Sequence, residues 1–122
     1  MIYEKLAGYL RKPYEDDIYS SRLSTHEAIK AQLYVLGYKE GLKPVLEANC
    51  DGRIDCIYLR GSEPVCGLEV DYSIKKKSIR KLNRLPGDYC EKIIVSYGPI
   101  AVLWRAKSRN RGTFNNIRIF KL

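Results

Sequence analysis

The sequence predicts a single α/β domain with a central mixed β-sheet flanked by helices, and three observations indicate this class. The chain of 122 residues has the usual size of one domain, about 100 to 150 residues. Segments with helical periodicity alternate with short runs of branched and aromatic residues that are typical of strands. No apolar run approaches the roughly 20 residues that a bilayer span needs. The composition is therefore that of a globular protein, and no membrane partner is expected.

Two helices are predicted before the first strand. Residues 1–12 carry apolar side chains at helical spacing, and Pro13 ends this pattern. After a polar loop, Ser24 and Glu27 match a capping box, which predicts the start of a second helix. Gly37 follows the last residue of the apolar stripe of this helix and predicts the end of the helix. We expect the first 22 residues to form an N-terminal helix and loop, and residues 23–122 to form the core.

Three strand-like runs follow, at residues 45–48, 53–60 and 65–72. Residues 61–64 read Gly-Ser-Glu-Pro, which is turn chemistry, so the second and third runs predict a hairpin. If the turn takes three residues, Asp55 lies opposite Glu69.

The rest of the chain predicts one basic helix and three further strands. Apolar residues recur at helical spacing over residues 74–85, cations fill the other faces, and Pro86 ends the pattern. Strands are predicted at residues 92–97, 100–105 and 117–122, with a basic, turn-rich connection over residues 107–112. The predicted element order is ααβββαβββ.

Charge is distributed unevenly along the chain. Residues 1–71 carry 9 basic and 12 acidic side chains, whereas residues 72–122 carry 13 and 2. A polyanion is the simplest partner for such a basic half, because each cation placed on a phosphate releases counterions. We expect nucleic acid, DNA rather than RNA, to bind these residues: Lys75, Lys76, Lys77, Arg80, Lys81, Arg84, Arg105, Lys107, Arg109 and Arg111. A solvated lysine-rich surface and a basic module that meets an acidic protein are the alternatives.

The cysteines and the N-terminus indicate a reducing, cytoplasmic setting. Cys50, Cys56, Cys66 and Cys90 are spaced too irregularly for a paired zinc pattern, so they are expected to be buried small apolar residues. The first six residues include Glu4 and Lys5, where a secretory signal needs a continuous apolar stretch.

Three acidic residues stand in the predicted hairpin strands. Asp55, Glu69 and Asp71 lie among apolar residues, although burying a charge costs several kcal/mol unless a metal or counter-charge compensates it. Gathered carboxylates suit Mg²⁺ or Mn²⁺, which take oxygen ligands and can activate water toward a phosphodiester. The predicted chemistry is metal-dependent phosphodiester hydrolysis, with these three residues as metal ligands.

The run Asp51-Gly52-Arg53-Ile54-Asp55, a hairpin, the run Gly67-Leu68-Glu69-Val70-Asp71 and a lysine-rich helix together resemble the PD-(D/E)XK, or restriction-endonuclease-like, nuclease superfamily. The resemblance covers residues 24–97. It implies a restriction-endonuclease-like fold and an endonuclease in which Glu27, Asp55 and Glu69 are catalytic. The family also allows a homodimer whose two sites cut two strands.

The usual lysine of the family, two positions after the strand glutamate, is replaced here by Asp71. Either a lysine of the following helix, Lys75, Lys76 or Lys77, reaches back to the site, or Asp71 serves as an extra metal ligand. A non-catalytic DNA- or RNA-binding module that keeps the fold is the main alternative.

Several candidate residues also have a structural interpretation. Glu27 completes the capping box, Asp71 could cap the basic helix, and Asp55 could pair with an arginine. His26 is assigned no role. Trp104 and most tyrosines are expected in the core, with Tyr72 beside the acidic residues as an exception.

Overall fold

The computed structural model describes residues 1–12, 22–50, 52–86, 89–110 and 116–122, which form an α/β domain with one five-stranded mixed sheet packed against helices. The strands lie in the order β1-β2-β3-β4-β5; β1, β2 and β3 are antiparallel, and β4 and β5 continue parallel to β3. The elements are α1 (Ile2–Tyr9), α2 (Arg22–Lys39), β1 (Lys43–Asn49), β2 (Arg53–Arg60), β3 (Glu63–Asp71), α3 (Lys76–Asn83), β4 (Glu91–Ser96), α4 (Ile100–Arg109) and β5 (Ile117–Lys121).

Helices α1 and α2 cover one face of the sheet. Leu6 of α1 and the α2 residues Ile29 and Leu33 are fully buried in one cluster with apolar side chains of β2, β3 and β4. Tyr58 of β2 belongs to this cluster, and its hydroxyl donates a hydrogen bond of 2.5 Å to the carbonyl of Leu33. This bond satisfies a polar group that would otherwise be costly to bury. The contact holds α2 against the hairpin.

Helices α3 and α4 cover the opposite face. Ile79 and Leu82 of α3 share a second cluster with Leu103 and Ala106 of α4, packed on inward side chains of the strands. Gly67 of β3 makes room for this packing, because a Cβ there would lie 2.2 Å from Leu85 Cδ1. The sheet is therefore covered on both faces.

The strand predicted at residues 100–105 is wrong, because this segment belongs to α4. Its branched residues suggested a strand, but the buried positions Leu103 and Ala106 are three apart, while Trp104 and Arg105 between them are exposed. That spacing is helical. The observed order is ααβββαβαβ, and the connection predicted at 107–112 is helical as far as Arg109; residues 111 and 112 lie outside the described residues.

The hairpin turn takes two residues, not three. Arg60 pairs with Glu63, and the register shifts by one residue between Tyr58 and Leu59, so that Cys56 pairs with Leu68. Gly61, with φ of +64°, supplies the left-handed backbone of the turn. Because of this shift, the strands have the predicted register although the turn is one residue shorter than expected. Asp55 and Glu69 are the residues next to the Cys56–Leu68 pair.

The predicted cap of the second helix is also wrong. Helix α2 begins at Arg22, two residues before Ser24, and it continues past Gly37 to Lys39. Gly37 has a packing role instead, since a Cβ there would lie 2.7 Å from Tyr58 Cε1. The backbone reverses at Gly41, whose φ is +73°. Most of the loop predicted before this helix lies outside the described residues.

The cysteine prediction is confirmed for three residues. Cys56, Cys66 and Cys90 are buried, Cys50 is half-buried, and all four are free thiols. Burial raises the pKa of the Cys56 and Cys66 thiols. Within the described ranges, no helix combines the length and apolar character needed to cross a membrane.

Candidate functional site

The site lies where β2 and β3 separate. Beyond the Cys56–Leu68 pair the strands are joined through carboxylates: the Asp55 N–H donates to Glu69 Oε2 at 3.0 Å, and the Val70 N–H donates to Asp55 Oδ2 at 2.7 Å. Each carboxylate thus accepts from the neighbouring strand's backbone. Fixed backbone donors hold two acidic side chains together at the end of the hairpin.

Basic side chains from both helical layers reach this pair. Lys81 of α3 places its Nζ 2.5 Å from Glu69 Oε1, and His26 of α2 places its Nε2 3.4 Å from Asp55 Oδ2. The Glu69 side chain is only 1% exposed and that of Lys81 15% exposed, so solvent screens this pair weakly. The acidic residues are therefore compensated inside the fold.

The carboxyl groups of Asp55 and Glu69 have pKa values shifted in opposite directions. Burial, reinforced by the contact with Asp55, raises the pKa of Glu69 despite Lys81. Burial also opposes ionisation of Asp55, but its hydrogen bonds to His26 and Glu69 lower the pKa of Asp55 below its ordinary value. The Asp55 hydrogen bond in turn raises the pKa of His26. Glu69 is the carboxyl that holds a proton most readily.

A buried lysine adds positive charge on the α2 side. Lys30 is 4% exposed, and its ammonium bonds to Glu47 and lies 3.5 Å from Glu27 Oε1. Burial disfavours the charged form, but the Glu47 partner outweighs it and raises the pKa of Lys30. Lys30 is therefore a fixed cation close to Asp55.

Asp71 lies at the end of β3 and is 7% exposed. It hydrogen-bonds the Ser78 side chain of α3, and burial raises its pKa although Ser78 and Lys75 oppose this effect. Its Oδ2 is buried and has no hydrogen-bond partner among the described residues. The proposed capping role is wrong, since α3 has Lys75 at its N-cap and no side-chain capping bond.

These residues line a cleft of about 530 Å³. The acidic wall consists of Asp55, Glu69 and Asp71, and the aromatic wall consists of Tyr72 and Tyr97, whose ring centroids are 5.8 Å apart. Tyr72 lies beside the acidic residues as expected, and it is also half-buried against the first apolar cluster. His26, Lys75, Lys77, Ser78 and Lys81 also line the cleft.

A second, basic groove of about 450 Å³ adjoins this cleft. Lys77 and Lys81 line both spaces, so the acidic cleft and the basic groove are neighbours. The basic groove is lined by Gly52, Arg53, Lys77, Arg80, Lys81 and Arg84.

The sequence did not indicate the two basic side chains that contact the acidic pair, and it misplaced one acidic residue. Lys81 was predicted only as a nucleic-acid contact, and His26 was assigned no role, yet both contact the carboxylates. Glu27 does not line the cleft; it is 58% exposed and stands 3.4 Å from His26 Nδ1. The sequence feature that could have identified Lys81 is its spacing. Lys81 lies one turn after Ser78, so the two side chains share a face of the helix that follows Asp71.

The other predicted cations are distributed over two helices. Lys76 is exposed on α3 and lines neither space. Arg105, Lys107 and Arg109 are exposed on α4, and Arg111 lies outside the described residues. Trp104 is 62% exposed, so its predicted core position is wrong.

Within the part of the chain that the structure describes, no three His, Cys, Asp or Glu side chains are grouped to hold a metal ion. The contacting carboxylates of Asp55 and Glu69 still match the one or two that Mg²⁺ usually takes from a protein, with water completing its coordination.

Comparison of the chain with protein-family models, curated protein sequences and solved structures gives no match.

Proposed function

We propose that this protein is a restriction-endonuclease-like nuclease that uses Mg²⁺ or Mn²⁺ to hydrolyse phosphodiester bonds, with DNA as its substrate. The observation that carries this proposal is that the acidic cleft and the basic groove are neighbours and share Lys77 and Lys81 in their lining. A nucleic-acid backbone needs cations along its path, whereas its hydrolysis needs carboxylates at one point of that path. The two surfaces meet where β2 and β3 separate.

The order of the elements supports the same proposal. A mixed sheet flanked by helices carries Asp55 on the first hairpin strand and Glu69 on the second, adjacent in space, as the family resemblance implies. The helix that follows supplies a lysine to the site. Its Lys81, rather than the expected Lys75, Lys76 or Lys77, contacts the strand glutamate. Lys81 is thus the best candidate to replace the lysine that Asp71 displaces.

The side chains have separable tasks in this proposal. Asp55 and Glu69 would hold the metal, which supplies a Lewis acid and lowers the pKa of bound water. The ammonium of Lys81 would stabilise negative charge that develops on the phosphate or orient the attacking water. His26 keeps Asp55 ionised, because its hydrogen bond lowers the pKa of that carboxyl against the effect of burial.

Cleavage assays with isosteric variants test the proposal. Glu69→Gln keeps the shape of the side chain but cannot ionise to bind a metal, so we expect loss of metal-dependent cutting with nucleic-acid binding retained. Glu63→Gln, at the exposed start of the same strand, is the matched control and should cut like the wild type. Substrates should include supercoiled, linear, single-stranded and branched DNA, and RNA, each with Mg²⁺ or Mn²⁺. Equal cutting by Glu69→Gln and wild type would refute the assignment.

One observation favours a second candidate, a non-catalytic nucleic-acid-binding module. Lys81 already contacts Glu69 and His26 already contacts Asp55, so this acidic pair has basic partners without a metal. Such a protein would bind DNA without cutting it under any metal. Its affinity would fall with salt and with Arg80→Glu in the basic groove.

A further inference from the structure

An exposed aromatic and basic surface on α4 has no part in the cleft. Trp104 is 62% exposed and Ile100, one turn before it, is 53% exposed. The Nζ of Lys107 lies over the indole ring of Trp104, 5.3 Å from its centroid. This cation–π contact orients the indole from one side and leaves most of the ring in solvent.

The charge of this surface indicates what covers it. Arg105, Lys107 and Arg109 are exposed on the same helix, and α4 carries no acidic residue. A two-fold dimer through this face would bring these cations against their own copies, because an isologous interface pairs a patch with itself. A polyanion with flat aromatic groups fits both the exposed indole and the cations, since bases stack on indole while phosphates contact the cations.

The position of α4 places this surface at the same end of the sheet as the cleft. Helices α3 and α4 follow the parallel strands β3 and β4, so both begin at the edge where Asp71 stands. Tyr97, the residue after β4, lines the cleft, and α4 begins three residues later at Ile100. The start of α4 therefore lies close to the cleft.

We propose that α4 is a docking surface for unpaired nucleic acid, in which Trp104 stacks on a base while Arg105 and Lys107 contact the adjacent phosphates. The inference rests on the nucleic-acid partner of the proposed function and adds the substrate class: a strand with unpaired bases, or a branched or frayed duplex that exposes them. A fully paired duplex offers Trp104 base faces only at its two ends.

Trp104 is the sole tryptophan of the chain, so intrinsic tryptophan fluorescence reports on this surface alone. The full chain is titrated with an oligothymidylate of about 16 nucleotides, with a strand of equal length that lacks bases, and with a blunt duplex. We expect strong quenching by the oligothymidylate and little by the other two. Binding of the labelled oligothymidylate is followed by anisotropy, and Trp104→Ala should weaken it about five- to a hundredfold.

The matched control is Tyr34→Ala, which removes an exposed aromatic residue from α2 on the opposite side of the sheet and should leave affinity unchanged. The inference fails if the baseless strand quenches equally, or if Trp104→Ala binds like the control. It also fails if sedimentation shows a dimer with a concentration-dependent blue shift in the absence of oligonucleotide. If the protein cuts DNA equally well with and without Trp104, only the docking role of α4 is refuted. If it binds through Trp104 but never cuts, only the proposed nuclease activity is refuted.

Discussion

Replacing Lys81 with methionine tests the electrostatics of the cleft. The side chains of Lys81 and Glu69 are largely shielded from water, and their charged atoms lie 2.5 Å apart. Removing one partner of a buried ion pair costs about 3 to 5 kcal/mol when the remaining charge cannot be neutralised. Glu69 can be neutralised, because burial and Asp55 raise its pKa. The cost of Lys81→Met must therefore depend on pH.

The sign of this dependence follows from proton binding. Without Lys81 the folded-state pKa of Glu69 rises further, so the folded variant binds more protons than the folded wild type, and its stability falls more steeply as pH rises. We expect a deficit of about 1 kcal/mol at pH 6, the value of an ordinary hydrogen bond, and of about 3 kcal/mol at pH 9. Urea unfolding followed by circular dichroism measures both.

Two controls make the result specific. Lys76→Met changes an exposed lysine of the same helix and should alter stability by less than about 0.5 kcal/mol at either pH. Glu69→Gln/Lys81→Met removes both charges, so its deficit should not grow with pH. A Lys81→Met deficit of equal size at pH 6 and pH 9 would refute the reasoning, because it would show that Glu69 does not titrate against Lys81.

Three further predictions concern stability. His26→Gln should cost about 1 kcal/mol at pH 6; because the pKa of His26 is raised by Asp55, this contribution is complete below the unfolded pKa and is lost as pH rises through the folded one. Unfolding at several pH values checks it, and a pH-independent cost would contradict it. Gly37→Ala should cost about 1 to 3 kcal/mol through overlap with the Tyr58 ring, whereas Gly8→Ala, with open space around it, should stabilise α1 by up to about 1 kcal/mol; equal melting temperatures would contradict both.

The fold could be predicted from the sequence wherever periodicity and burial agree. Strand β2 has the predicted bounds, and the basic helix α3 lies within its predicted segment. The error at residues 100–105 arose because Ile100 and Val102 favour strands by composition, while the position of Pro99 just before the helix and the three-residue spacing of Leu103 and Ala106 favour a helix. Tertiary packing decided between them, and a single sequence does not contain that packing explicitly.

The acidic residues of the site could be predicted, but the basic side chains that contact them could not, and the reason is physical. Carboxylates in apolar strands are conspicuous because burying them is expensive, so Asp55, Glu69 and Asp71 could be identified one by one. Their counter-charges are not conspicuous, since lysine and histidine on helices are ordinary surface residues until packing turns them inward. Lys81 turns inward because α3 runs back over β3 with Leu82 in the core, a geometry that depends on the crossover from β3 to β4. A pattern of acids therefore indicates where compensation must exist, and the packing of the covering helices determines which cation provides it.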